Sequence, residues 1–213
     1  MRHDLTDITV VLDRSGSMGA CRQEAENGLA HFVEEQKKVR GEALLTLVQF
    51  DTEYEFVHRG VNVKSVGRHK LVPRGMTALL DAVGRAITET GDRLRAMPEA
   101  ERPALVAFVI VTDGQENSSR EFSKARIKSM IEHQTNVYNW QFTFLGANQD
   151  AFAEGHAMGI DAGGTAGWQA DKAEGMFRAM ARKMSRMRAE TYSYDIPNNA
   201  FTTSEREMID GED

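Results

Sequence analysis

Ile8-Thr9-Val10-Val11-Leu12-Asp13-Arg14-Ser15-Gly16-Ser17 joins a continuous apolar run, rich in β-branched residues, to a short loop of aspartate, serine and glycine. A run without polar alternation, stopped by a Gly/Ser cluster, reads as a central parallel strand buried on both faces. The loop after it presents one carboxylate and two hydroxyls at alternate positions, Asp13, Ser15 and Ser17. Three hard oxygen donors on one side of a turn suit Mg²⁺, Mn²⁺ or Ca²⁺ and suit zinc poorly. On its own, such a pattern is more often a turn whose Asp and Ser side chains bond the local backbone.

Two later segments change that weighting. Ala104-Leu105-Val106-Ala107-Phe108-Val109-Ile110-Val111 is a second uninterrupted apolar run, and it ends in Thr112-Asp113-Gly114. In an open α/β sheet the ligand crevice lies beyond the carboxyl ends of the strands, so Asp13 and Asp113 are expected to face one crevice. Between them, Gly75-Met76-Thr77-Ala78-Leu79-Leu80-Asp81-Ala82 opens a helix, with Thr77 placed as its N-cap and its hydroxyl available to a metal instead.

These three motifs, in this order, resemble those of the von Willebrand factor type A domain family, over about residues 5 to 190. Asp13-Arg14-Ser15-Gly16-Ser17 looks like the family's DxSxS motif, Gly75 to Leu79 like its threonine loop, and Thr112-Asp113-Gly114 like its second aspartate loop. The resemblance implies a complete metal-ion-dependent adhesion site formed by Asp13, Ser15, Ser17, Thr77 and Asp113, some of them acting through water, in a chain of the stand-alone bacterial or phage type. It also implies a Rossmann-like fold and metal-dependent protein binding.

The rest of the chain alternates strand and helix, which by itself predicts a doubly wound α/β fold: a mostly parallel central sheet with helices on both faces. Cys21 to Val33 recurs at helical spacing, and Ala43 to Phe50 is the next strand. Tyr54 to His58 is expected to return antiparallel as an edge strand. Leu79 to Leu94 and Phe122 to Ile131 read as helices, and Val137 to Leu145 as a strand leading to a rim at Gly146-Ala147-Asn148-Gln149-Asp150. A short helix over 150–158 and a last strand over 160–165 follow. From Gln169 to Ala189 a helix carries Met176, Met180, Met184 and Met187 on one stripe, read as core packing. The domain is thus assigned to residues 1–190, and the acidic segment 191–213, poor in apolar residues, is expected to be flexible or loosely docked.

A chain of 213 residues suits one core, and a formal net charge of −6 gives no electrostatic case for nucleic-acid binding. The single cysteine, Cys21, excludes an internal disulfide and fits a reducing compartment. Met1-Arg2-His3-Asp4 lacks the charge pattern of a signal peptide, and no stretch approaches the roughly 20 apolar residues of a membrane span. The expectation is a cytoplasmic protein without membrane contact.

Mg²⁺ bound through five side chains, partly by water, leaves a position for an outside ligand, and a carboxylate is its natural occupant. The expected partner is a protein presenting Asp or Glu, in the manner of an adaptor working with an ATPase or kinase system. Arg14, Met18, Gln115, Glu116, Asn117 and Ser118 are expected to border the ion and set specificity. The rival reading is a Mg²⁺-dependent phosphoryl-transfer or phosphatase-type enzyme, since paired carboxylates around Mg²⁺ also serve that chemistry. Against it, Ser15 stands where an aspartyl-nucleophile phosphatase wants a second aspartate, and no phosphate-binding loop or hydrolase motif occurs.

Overall fold

The computed structural model describes residues 1–147 and 150–211. In chain order they form β1 (Arg2–Asp13), α1 (Arg22–Lys38), β2 (Glu42–Phe50), β3 (Tyr54–Asn62), α2 (Leu79–Arg95), β4 (Pro103–Thr112), α3 (Lys124–Tyr138), β5 (Gln141–Ala147), α4 (Ala151–Ala157), β6 (Thr165–Trp168), α5 (Ala173–Tyr192) and α6 (Thr203–Asp210). The strands make one sheet in the order β3-β2-β1-β4-β5-β6. All pairings are parallel except β2 with β3, so the expected antiparallel edge strand is present.

Strand periodicity divides the core in two. Ile8, Val10 and Leu12 face one side with α1, α5 and α6, whereas Val11, Val48, Phe108 and Ile110 face the other with α2 and α3. Burial on both faces explains the unbroken apolar runs of β1 and β4. Gly28 of α1 lies where an added Cβ would meet the Phe177 side chain at 2.4 Å, which sets how closely α1 and α5 approach. Met176, Met180, Met184 and Met187 are all buried, so the methionine stripe of α5 is core.

Three elements depart from the sequence reading. Val137 and Tyr138, taken as the start of a strand, end α3 instead and are more than half exposed. The helix stops at Asn139, whose φ of 55° is a left-handed cap that asparagine tolerates, and β5 begins at Gln141. The last strand falls at Thr165–Trp168, after Gly163 and Gly164 in a 3₁₀ turn, and not over 160–165.

The third departure is the C-terminal segment. It carries α6, which begins in a full capping box between Thr202 and Glu205. Phe201 and Ile209 enter the core. Arg186 of α5 grips both carboxylate oxygens of the buried Glu205, each at 3.1 Å, and also donates to the carbonyls of Asn198 and Ala200. Asn199 donates to the Phe142 carbonyl at 2.7 Å. The Arg186–Glu205 pair, together with Phe201 and Ile209, therefore docks this segment.

Candidate metal-binding site

Strand order reverses between β1 and β4: the chain proceeds from β1 to one edge and from β4 to the other. Such a switch point opens a crevice beyond the strand ends. Asp13 is the last residue of β1, and Asp113 follows the last residue of β4.

Asp13 is fully buried and held at both oxygens. Its Oδ1 accepts from the Ser15 amide at 2.6 Å and its Oδ2 from the Thr112 hydroxyl at 2.6 Å. Burial pushes its pKa up to about 6, against the lowering effect of those hydrogen bonds and with a further push from the charge of Asp113. Burial likewise raises Asp113, although the Ser17 hydroxyl donates to its Oδ1 at 2.8 Å. The Ser15 and Ser17 hydroxyls lie 3.1 Å apart. Thr77 joins them across Gly114: a Cβ built on that glycine would sit 2.9 Å from Thr77 Oγ1 and 3.7 Å from Ser17 Oγ. Asp13, Ser15, Ser17, Thr77 and Asp113 thus come together from three separate segments.

The donor set fits a hard cation. It is all oxygen, and its two carboxylates are both reluctant to ionise where they stand, a cost that a neighbouring positive charge relieves. No group of three or more His, Cys, Asp or Glu able to hold an ion occurs among the described residues, so an ion here depends on the hydroxyls as well.

Thr77 does not cap α2. The cap position is Ala78, which makes no side-chain bond. The helix start is closed from the loop after β4: Glu116 Oε2 accepts from Leu80 N at 2.9 Å and Ser119 Oγ from Asp81 N at 3.1 Å. Asp81 returns the clasp, accepting from the amides of Arg120, Glu121 and Phe122 at 2.8, 2.9 and 2.9 Å. Asn117 pairs with Thr77 through both its side-chain oxygen and its own amide, at 2.9 and 3.1 Å. With its cap supplied from elsewhere, the helix leaves the Thr77 hydroxyl for the crevice.

The expected rim is only partly a rim. Gln115 and Asn117 are exposed, but Asn117 holds Thr77 and Glu116 spends both oxygens on Leu80, Ser118 and Ser119. Ser118 is half-buried, and its hydroxyl has no partner among the described residues. Arg14 and Met18 are buried, because the chain enters a 3₁₀ turn at Gly16–Cys21 that points Met18 into the core. Arg14 turns instead to Asp51 at 2.8 Å and Glu55 at 2.7 Å. Cys21 ends that turn, buried, with its thiol pushed up to about 12 chiefly by burial. On the rim at 146–150, Asn148 and Gln149 lie outside the described residues, and Asp150 caps α4 by accepting from Ala153 N.

Sequence reasoning missed Asp51. Its carboxylate accepts from Arg14, Arg74 and the Glu53 amide, each at 2.8 Å, and its carbonyl accepts from Ala78 N at 2.8 Å. Burial raises its pKa, but the two arginines and the amide outweigh it and hold the group below the usual value. It ties the β2 end to both the first metal loop and the threonine loop. The signal was legible: an acid directly after the buried run ending at Phe50, on the same sheet edge as Asp13.

The fold is that of solved von Willebrand factor type A structures. The chain is similar to proximal thread matrix protein 1 from the mussel byssus, at 17% identity and a TM-score of 0.59 over 85% of this chain and 46% of that one. It is similar to a von Willebrand factor type A protein from Catenulispora acidiphila, at 18% identity and 0.56 over 85% and 42%. A third likeness is to the vWF domain of the type V pili tip protein Mfa5 from Porphyromonas gingivalis, at 12% identity and 0.59 over 84% and 94%. One structure of the mussel protein has a zinc-occupied MIDAS motif. The chain spans about half the length of the first of these structures. No family model matches the chain, and no curated protein matches it.

Proposed function

We propose that the chain is a von Willebrand factor type A domain acting as a protein-binding adaptor. In this reading it holds a divalent cation, Mg²⁺ by preference, with Asp13, Ser15, Ser17, Thr77 and Asp113 and takes an aspartate or glutamate of a partner there. The observation that carries the reading is the convergence of two carboxylates and three hydroxyls at the ends of β1 and β4 and the loop before α2. The bound cation would supply a Lewis-acidic position for the incoming carboxylate. Thr112 and the Ser15 amide fix the direction of Asp13, and Ser17 fixes that of Asp113. Asn117 and Glu116 keep the Thr77 hydroxyl free of the helix end, while Met76 and Gln115, next in sequence to Thr77 and Gly114, are exposed.

The zinc held by the mussel protein supports a divalent ion, and the all-oxygen donors here favour Mg²⁺ over zinc. Binding without catalysis is favoured because Arg14, the basic residue inside the first loop, is spent on Asp51 and Glu55 and is not offered to a phosphoryl group. No helix of the described residues is long and apolar enough to cross a membrane. The lone buried Cys21 suits a reducing, cytoplasmic setting, with an ATPase or kinase system as the kind of machinery served.

The test is a pull-down from the source cell's lysate with wild type in Mg²⁺, wild type in EDTA, and Thr77→Val in Mg²⁺. A protein retained by wild type in Mg²⁺ and lost in the other two arms is the expected result. Equal retention in all three would overturn metal-mediated capture.

A further inference from the structure

At the end of the sheet opposite the candidate metal site, α2 and α3 part over β4 and leave a cleft of about 540 Å³. That is the size of sites that take small organic molecules. Its floor is apolar: Ile87, Leu94, Val106 and Trp140 line it, and Trp140 is stacked on Phe108 at 5.4 Å. Its rim is basic, with Arg95, Arg102 and Arg126. The one acid lining it among the described residues, Asp92, is already paired with Arg95 at 2.8 Å. Arg102 donates to the carbonyls of Met97 and Arg95, and neither it nor Arg126 has a carboxylate partner among the described residues. In a chain of net charge −6, unpaired arginines around an apolar floor make a local positive field over a dry surface.

Gly91 gives a second reason. It sits inside α2, where glycine weakens a helix relative to alanine. Gly84 of the same helix has a packing cause, since a Cβ there would meet Phe122 at 2.6 Å, and Gly28 of α1 has a similar one. Gly91 has none: a Cβ would find only Trp140 at 3.9 Å, an ordinary contact, and its φ is not positive. What Gly91 does is leave the cleft open above Trp140.

We propose that this cleft binds an amphipathic organic anion, with an aryl or alkyl body lying on Trp140, Ile87 and Leu94 and an acidic headgroup meeting Arg126 and Arg102. The site is separate from the metal crevice, since α2 runs the roughly 25 Å between the two ends. Its success or failure leaves the adaptor reading untouched.

The probe is 8-anilinonaphthalene-1-sulfonate, titrated by fluorescence into the full folded chain, beside N-phenyl-1-naphthylamine, which has the same rings without the sulfonate. The expected result is one saturable site for the sulfonate, with the uncharged analogue at least tenfold weaker. Gly91→Leu, which fills the cleft from α2, abolishes binding while the melting temperature is kept. Arg126→Glu, at an exposed position, weakens binding at least tenfold and serves as an independent check if Gly91→Leu does not fold. Absence of saturable binding, equal affinity for both probes, or wild-type affinity in Arg126→Glu would overturn the proposal.

Discussion

Gly114→Ala adds one methyl group at the point where three segments meet. The new Cβ would stand 2.9 Å from Thr77 Oγ1, closer than a carbon and an oxygen tolerate, and 3.7 Å from Ser17 Oγ. Thr77 is β-branched and buried, so it relieves the contact by turning its hydroxyl away from the crevice. Gly114 does not have a positive φ, so alanine is not strained there, and the stiffer unfolded chain contributes about 0.4–1 kcal/mol that offsets the crowding. The fold should therefore change by less than about 1 kcal/mol, which is about 2–4 °C in Tm for a chain of this size. The site should suffer more. Misplacing one oxygen donor is of the order of a lost supporting contact at a metal, about 10–100-fold in affinity, or about 1.4–2.7 kcal/mol. Calorimetric titration with Mg²⁺, together with melting in EDTA, separates the two effects. Wild-type Mg²⁺ affinity would refute the convergence of Thr77 and Ser17 on the ion, and a fall in Tm of a core mutant's size would show that Gly114 is structural.

Other consequences follow from the groups around the site and the docked C-terminal segment. Asp81→Ala removes the acceptor of three loop amides and should cost about 2–3 kcal/mol, less than three separate charged bonds because water reaches the exposed loop; urea unfolding measures it, and a cost under about 0.5 kcal/mol would contradict the clasp. Glu205→Ala breaks the pair with Arg186 and the capping box together, and should cost about 2–4 kcal/mol. Limited proteolysis should then cut 195–211 first, and a segment as resistant as in wild type would argue against docking through Glu205. Lys183 is buried against Thr143 Oγ1 at 2.8 Å, and burial lowers its pKa well below the usual value, with Glu205 opposing. The unfolded chain then binds more protons than the folded one, so this residue's contribution to stability rises with pH up to about 10.5, where the unfolded lysine titrates too. Wild type should gain stability relative to Lys183→Met between pH 7 and pH 9, and an unchanged or opposite difference would reverse the assigned sign.

The sheet was legible because its strands are buried on both faces and therefore spell unbroken apolar runs, as in Val10 to Leu12 and Val106 to Val111. The five candidate ligands were legible because each stands at a strand end or a helix start, where local residue order sets position. What escaped is tertiary. Thr77 looks like a helix cap until Glu116 and Ser119, some 40 residues on, take that role. Met18 and Arg14 look like rim residues until a 3₁₀ turn and Asp51 draw them inward. The tail reads as flexible or loosely docked because its polar atoms meet Arg186 and the Phe142 carbonyl, contacts that hydropathy does not register.

Asp13 and Asp113, with the hydroxyls between them, are proposed to hold a divalent ion. Calorimetric titration of Mg²⁺ into wild type, Asp13→Ala and Asp113→Ala, each first shown to melt cooperatively in EDTA, tests this most directly. One saturable site is expected in wild type and none in either variant. Saturable binding of wild-type strength in a folded Asp113→Ala chain would contradict the proposal.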